Sequence, residues 1–78
     1  MALLTEIKAM ITKVFAIDGD EVTEDAHLQF DLGADSIALM NLAMAINKKY
    51  SLELVIDEIV ELDNVGELIS LVKSKISS

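Results

Sequence analysis

Apolar residues recur at three- and four-residue spacing along most of this chain, and the one long stretch where that rhythm fails is acidic and punctuated by glycine. Leu3, Ile7, Met10, Ile11 and Val14 predict an amphipathic helix over 3–15, with Glu6, Lys8 and Lys13 off the stripe. From Ala16 to Asp35 the spacing is lost, Gly19 and Gly33 interrupt, and Asp18, Asp20, Glu21, Glu24 and Asp25 crowd together. So long a connection inside a small domain is uncommon and often functional. Leu28, Phe30 and Leu32 are spaced to pin it to the core, with room for a short helical turn. A second helix opens at Asp35-Ser36, both capping residue types, and carries Ile37, Met40, Ala43 and Met44 at helical spacing. Lys48 and Lys49 complement the dipole in its last turn, and Tyr50-Ser51 ends it. A short third helix is expected around 57–61. Asn64-Val65-Gly66-Glu67 then reads as a capping box, followed by Leu68, Ile69, Val72 and Ile76 on one stripe and Lys73 and Lys75 near the end. With no strand-like alternation, the expectation is an all-α four-helix bundle, three longer helices and one short, forming one domain over 1–78.

Charge and chemistry narrow the function. Fourteen acidic residues face six lysines and no arginine, a net charge of −8. Such a surface repels nucleic-acid phosphates and anionic membranes and favours partners with basic docking patches. The absence of cysteine excludes a disulfide scaffold and a thiolate metal site, so any thiol must come from an attached group. The longest apolar run, Leu42 to Ile46, is far short of a membrane span, and Met1-Ala2-Leu3-Leu4 runs straight into Thr5-Glu6-Ile7-Lys8 without the pattern of a signal peptide. These features predict a cytoplasmic protein. Asp18-Gly19-Asp20-Glu21 fails as an EF-hand because the sixth loop position is Thr23 rather than glycine. A hydrolase built on His27, Asp35 and Ser36 also fails: Asp35 and Ser36 are adjacent and nothing orients His27, which reads as a loop residue.

Asp31-Leu32-Gly33-Ala34-Asp35-Ser36-Ile37 puts a serine at a helix start, where unpaired N–H groups and the dipole favour a phosphate ester. Gly33 allows a tight turn there, and Asp31 and Asp35 add negative charge suited to a basic modifying enzyme or its metal ion. A lone Asp-Ser is usually an ordinary helix cap. This segment, however, closely resembles the Asp-Leu-Gly-Ala-Asp-Ser-Leu signature of acyl carrier proteins, differing only at Ile37. The likeness extends through the opening helix and acidic loop to Asn64-Val65-Gly66. It implies a non-catalytic carrier whose Ser36 receives 4′-phosphopantetheine from coenzyme A through a phosphopantetheinyl transferase. The arm's thiol would hold acyl groups as thioesters for acyl-loading and acyl-processing enzymes of fatty-acid, polyketide or related biosynthesis, with the carrier acting as a monomer. Partner recognition would fall on Asp31, Leu32, Gly33, Ala34, Asp35, Ile37 and Met40. An acyl chain folded back between the helices would meet Met40, Met44, Ile46, Leu54, Leu62 and Leu68, residues that plain core packing explains equally well.

The chain departs from that family along its second helix, which holds no acid after Asp35. Positions commonly acidic or polar in the family carry Ala38, Leu39, Asn41, Asn47, Lys48 and Lys49, and Val55-Ile56 stands where proline and an acid are common. The expectation is a specialised carrier with partners of its own, docking through basic or apolar patches, with Ala38, Leu39 and Leu42 a candidate apolar strip. An aminoacyl or peptidyl carrier, D-alanyl carriers included, is the rival within the class, although Gly-Ala-Asp-Ser favours acyl cargo. The rival outside it is a helical interaction module whose serine stays unmodified.

Overall fold

Helix starts and stops decide the architecture of residues 2–77, which the computed structural model describes. The order is α1 (Ala2–Phe15), a single 3₁₀ turn (Gly19–Glu21), α2 (Ser36–Tyr50), α3 (Ile56–Val60) and α4 (Val65–Ser77). There is no strand among the described residues, so the all-α bundle of three longer helices and one short one is the observed fold. No described helix is long and apolar enough to cross a membrane.

Each helix turns one aliphatic stripe inward. Ile7 and Ile11 of α1, Leu39, Leu42, Ala43 and Ile46 of α2, Ile59 of α3 and Val65, Leu68 and Val72 of α4 are buried together, with Val22, Ala26, Leu28, Leu32 and Leu54 from the connections. No polar or charged residue is buried among those described. Full burial of one such aliphatic side chain contributes about 1.5–3 kcal/mol, so this stripe dominates the stability of so small a protein. Two expectations are corrected here. Ile76 is 46% exposed, because the last turn of α4 runs past the core, and Phe30 is 83% exposed. Phe30 does not pin the loop; its ring stacks on His27 with centroids 4.3 Å apart.

The long connection is instead fastened by backbone bonds. The Val65 N–H donates to the Ala26 carbonyl at 3.0 Å and the Gly66 N–H to the Glu24 carbonyl at 2.9 Å. Those two donors belong to the first turn of α4, where a helix has no acceptor of its own. A Cβ on Gly66 would stand 3.3 Å from the Glu24 carbonyl oxygen, so glycine permits this close approach. The third first-turn donor, Glu67 N–H, is capped by Asn64 Oδ1 at 2.9 Å. The expected capping box is staggered by one residue: Glu67 accepts from the Asp63 N–H at 2.8 Å, not from Asn64.

Helix ends are closed by left-handed residues that are not glycine. Ala16 (φ 56°) and Ser51 (φ 57°) follow α1 and α2, and the next N–H groups, of Ile17 and Leu52, reach back to the carbonyls of Thr12 and Asn47. Asn47 also clamps the α2–α3 connection, donating from Nδ2 to the Leu54 carbonyl at 2.9 Å and accepting the Leu54 N–H at Oδ1 at 2.8 Å. An amide both donates and accepts, which an ionised acid does not do. The amide at this position is therefore a fastening of the fold. Lys75 and Glu58 add an ion pair at 3.3 Å between α4 and α3, with both groups open to solvent and little net effect expected.

Tyr50, the single tyrosine, ties the end of α2 to α1 by donating its hydroxyl to Glu6 Oε1. Burial and then the hydrogen bond and charge of Glu6 push its pKa from 10.0 up to about 12. A raised folded-state pKa means this tie stabilises fully below about pH 10 and is lost as pH rises through about 12. Phenolate absorbance of the folded protein should therefore titrate well above that of the urea-unfolded chain. Glu6→Gln should narrow that difference, and Tyr50→Phe, which removes the only phenol, should flatten the loss of stability in the same window; coincident folded and unfolded titrations would contradict the tie.

Candidate functional site

Ser36 is the first residue of α2 and is exposed. The capping role falls to Asp35 alone: its backbone is extended, its Oδ1 accepts the Ala38 N–H at 2.8 Å, and its carbonyl accepts the Leu39 N–H at 3.0 Å. Helix geometry then leaves the Ser36 and Ile37 N–H groups facing solvent at the positive end of the dipole. Serine beside a filled cap has no structural task of its own, which sets it apart from an ordinary Ser cap.

The loop before the serine is short-wired. His27 N–H donates to Asp31 Oδ2 at 2.7 Å, and the Asp31 and Leu32 N–H groups donate to the His27 carbonyl at 2.9 and 3.0 Å. The Ala34 N–H returns to the Leu28 carbonyl at 3.0 Å. His27 Nδ1 accepts the N–H groups of Gln29 and Phe30, both at 3.1 Å. That ring is thereby part of the turn's fabric and orients no nucleophile. Leu28 and Leu32 sink into the core ahead of Gly33, and the Ala34 bond to the Leu28 carbonyl closes the turn behind it. Gly33 has φ +72°, and a Cβ built on it would meet nothing within 4 Å. Glycine is favoured there by backbone conformation rather than by crowding, and the space at that position is open.

The structure sorts the expected site residues. Asp31, Gly33, Asp35, Ile37 and Met40 are exposed around or beyond Ser36, and Ala34 is half-buried. Leu32 is only 7% exposed and is a core anchor, out of a partner's reach. Ile46, Leu54 and Leu68 are buried and Leu62 is half-buried against the core. Met40 and Met44 are 49% and 61% exposed and do not line the interior. They lie one residue, about 100° of helix, beyond Leu39 and Ala43, which hold the inward stripe. The apolar strip is likewise displaced: Leu39 and Leu42 are buried, Ala38 is half-buried, and the exposed large apolar residues of α2 are Ile37, Met40 and Met44. Spacing alone does not show which of two apolar stripes on one helix turns inward. The double hydrogen bond of Asn47 also escapes the sequence, since its partner is seven residues away in a connection of undefined path.

A family model described as a phosphopantetheine attachment site matches residues 5–72. The chain is similar to proteins named acyl carrier protein: 34% identical over 73 residues to that of Helicobacter acinonychis, covering 94% of each chain. The counterpart in a Sulfurovum species is 32% identical over 74 residues, covering 95% of this chain and 99% of its own. That of Lactobacillus johnsonii is 36% identical over 72 residues, covering 92% of this chain and 90% of its own.

If the site's shape rests on a left-handed turn with free space around it, Gly33→Ala should cost roughly 1–2 kcal/mol, all of it conformational. Gly33→Asn should cost less, because asparagine tolerates that conformation. Urea denaturation of the three proteins checks the order; equal midpoints for all would contradict it.

Proposed function

Because the chain belongs to the acyl carrier protein family, non-catalytic carriers of acyl thioesters on a covalent 4′-phosphopantetheine, we propose that the attachment point is Ser36. Members interact with a phosphopantetheinyl transferase and with biosynthetic enzymes. The observation that carries the assignment is an exposed serine at the first position of α2 whose capping duty Asp35 has already taken. The residues fit the group: the hydroxyl is accessible, and the neighbouring turn leaves open space at Gly33. When bound, the group supplies the thiol that this cysteine-free chain lacks.

The chain's own residues then divide the work. Asp31 and Asp35 each commit one carboxylate oxygen to the backbone, leaving the other to meet the basic groups of a transferase. Leu28 and Leu32 hold the turn against the core, so the serine is presented from a fixed helix end. Ile37 and Met40 supply an apolar rim beside it for partner contact. Ile46, Leu54, Leu62 and Leu68 offer an aliphatic interior to an acyl chain folded back from Ser36; no buried polar group among the described residues would oppose it. Residues 1–78 act as one carrier domain, monomeric through the mutual repulsion of copies at net charge −8 and working in the cytoplasm.

Incubation with coenzyme A, magnesium and a phosphopantetheinyl transferase should add the mass of one phosphopantetheine to the protein and none to Ser36→Ala. An unchanged mass with several transferases, or the same gain in the alanine variant, would overturn the assignment.

A further inference from the structure

The exposed face of α2 changes character along its length. Asp35, with Asp31 four residues before it in the chain and likewise exposed, marks the end at Ser36. Ile37, Met40 and Met44, which are 67%, 49% and 61% exposed, follow at positions that share one side of the helix with Asn41. Eleven residues beyond Ile37 the same side arrives at Lys48, again exposed. No acid interrupts the series from Ser36 to Tyr50. Lys49, one residue on, turns toward α1 and lines a shallow groove with Lys13, Glu6, Ala9 and Met10. Glu6 there is engaged by the Tyr50 hydroxyl. On a protein of net charge −8, the far end of this helix is thus a cationic island, about 20 Å from Asp35 at 1.5 Å per residue.

Neither burial nor internal pairing accounts for that island. Lys48 and Lys49 are exposed, and the ion pair described in the structure belongs to Lys75 and Glu58. We propose that α2 is a polar-ended docking ruler: it fits an enzyme surface that is basic where it meets Asp31 and Asp35, apolar opposite Ile37, Met40 and Met44, and acidic opposite Lys48, Lys49 and Lys13. The proposal rests on Ser36 as the attachment point, since that point obliges a partner to approach this end of α2. Opposite charges at the two ends fix the direction in which the helix lies on the partner. They also disfavour a partner that is basic along the whole surface, because like charges would meet at the far end.

A charge-swap cycle tests it. The protein and Lys48→Glu/Lys49→Glu are each loaded with the same acyl-phosphopantetheine and checked by mass. Each is then assayed with a β-ketoacyl synthase that has a lysine- and arginine-rich docking patch, and with that synthase after Glu replaces the basic residues meeting the far end of the helix. The native protein should be favoured by the acidic patch and the double variant by the basic one. Each preference should be about tenfold in kcat/KM at low salt and shrink as salt rises. Equal rates across loaded pairs would overturn the proposal, as would an equal loss by the double variant with both synthases, which would mark the lysines as helix-stabilising only. Failure of the native protein to load would overturn the attachment reading, and this proposal with it; failure of the double variant alone would mark the lysines as needed for the helix or for loading and overturn the proposal only.

Discussion

The donors at the start of a helix have no partner within it, and the disposal of those donors organises this protein. In α4 two of them reach across to Ala26 and Glu24, so a helix terminus fastens the long acidic connection that the hydrophobic core alone would leave loose. Gly66 is small because that crossing is close. In α2 the Asp35 carboxylate takes the third donor and the serine next to it remains at the surface. The same chemical requirement is thus met at one terminus by structure and at the other in a way that leaves a hydroxyl available.

Position and availability together are what a carrier needs. The turn that precedes Ser36 is held by Leu28 and Leu32 in the core and by a mesh of short bonds around His27 and Asp31. On the proposed attachment at Ser36, the serine is held relative to the bundle and mobility is left to the arm, which would raise the local concentration of cargo at a docked enzyme without tight binding. The aliphatic interior serves first as the source of stability. Its freedom from buried polar groups, among the described residues, also makes it chemically tolerant of a hydrocarbon guest.

Much of this was legible in the sequence because helical periodicity and capping chemistry are local. The stripe of α1, the start of α2 at Asp35-Ser36 and the Asn64 cap of α4 follow from neighbours within a turn, and the structure has them close to where the spacing puts them. What escaped depends on partners distant in sequence or on competition between equals. Two apolar stripes run along α2, and only packing against α1 and α3 selects Leu39, Leu42, Ala43 and Ile46 over Ile37, Met40 and Met44. Phe30 has the composition of an anchor, yet it rides outside on His27 because the turn's backbone bonds to His27 direct Leu28 and Leu32 inward instead. Asn47 resembled a lost acid on a docking rim until its bonds to Leu54 showed a fastening of the fold. The family signature around Ser36 was readable as a string; that Asp35 frees the serine from capping was visible only in the helix it opens.

The most direct test of a carrier is the state of the chain in its own cells. Intact mass should be recorded on protein isolated under mildly acidic conditions, before and after treatment with neutral hydroxylamine, which cleaves thioesters. The chain should bear the arm, a fraction of it with an additional acyl mass that hydroxylamine removes while the arm stays. An unmodified chain throughout, in growing and resting cells alike, would contradict the carrier function and leave a helical bundle whose exposed serine serves some other end.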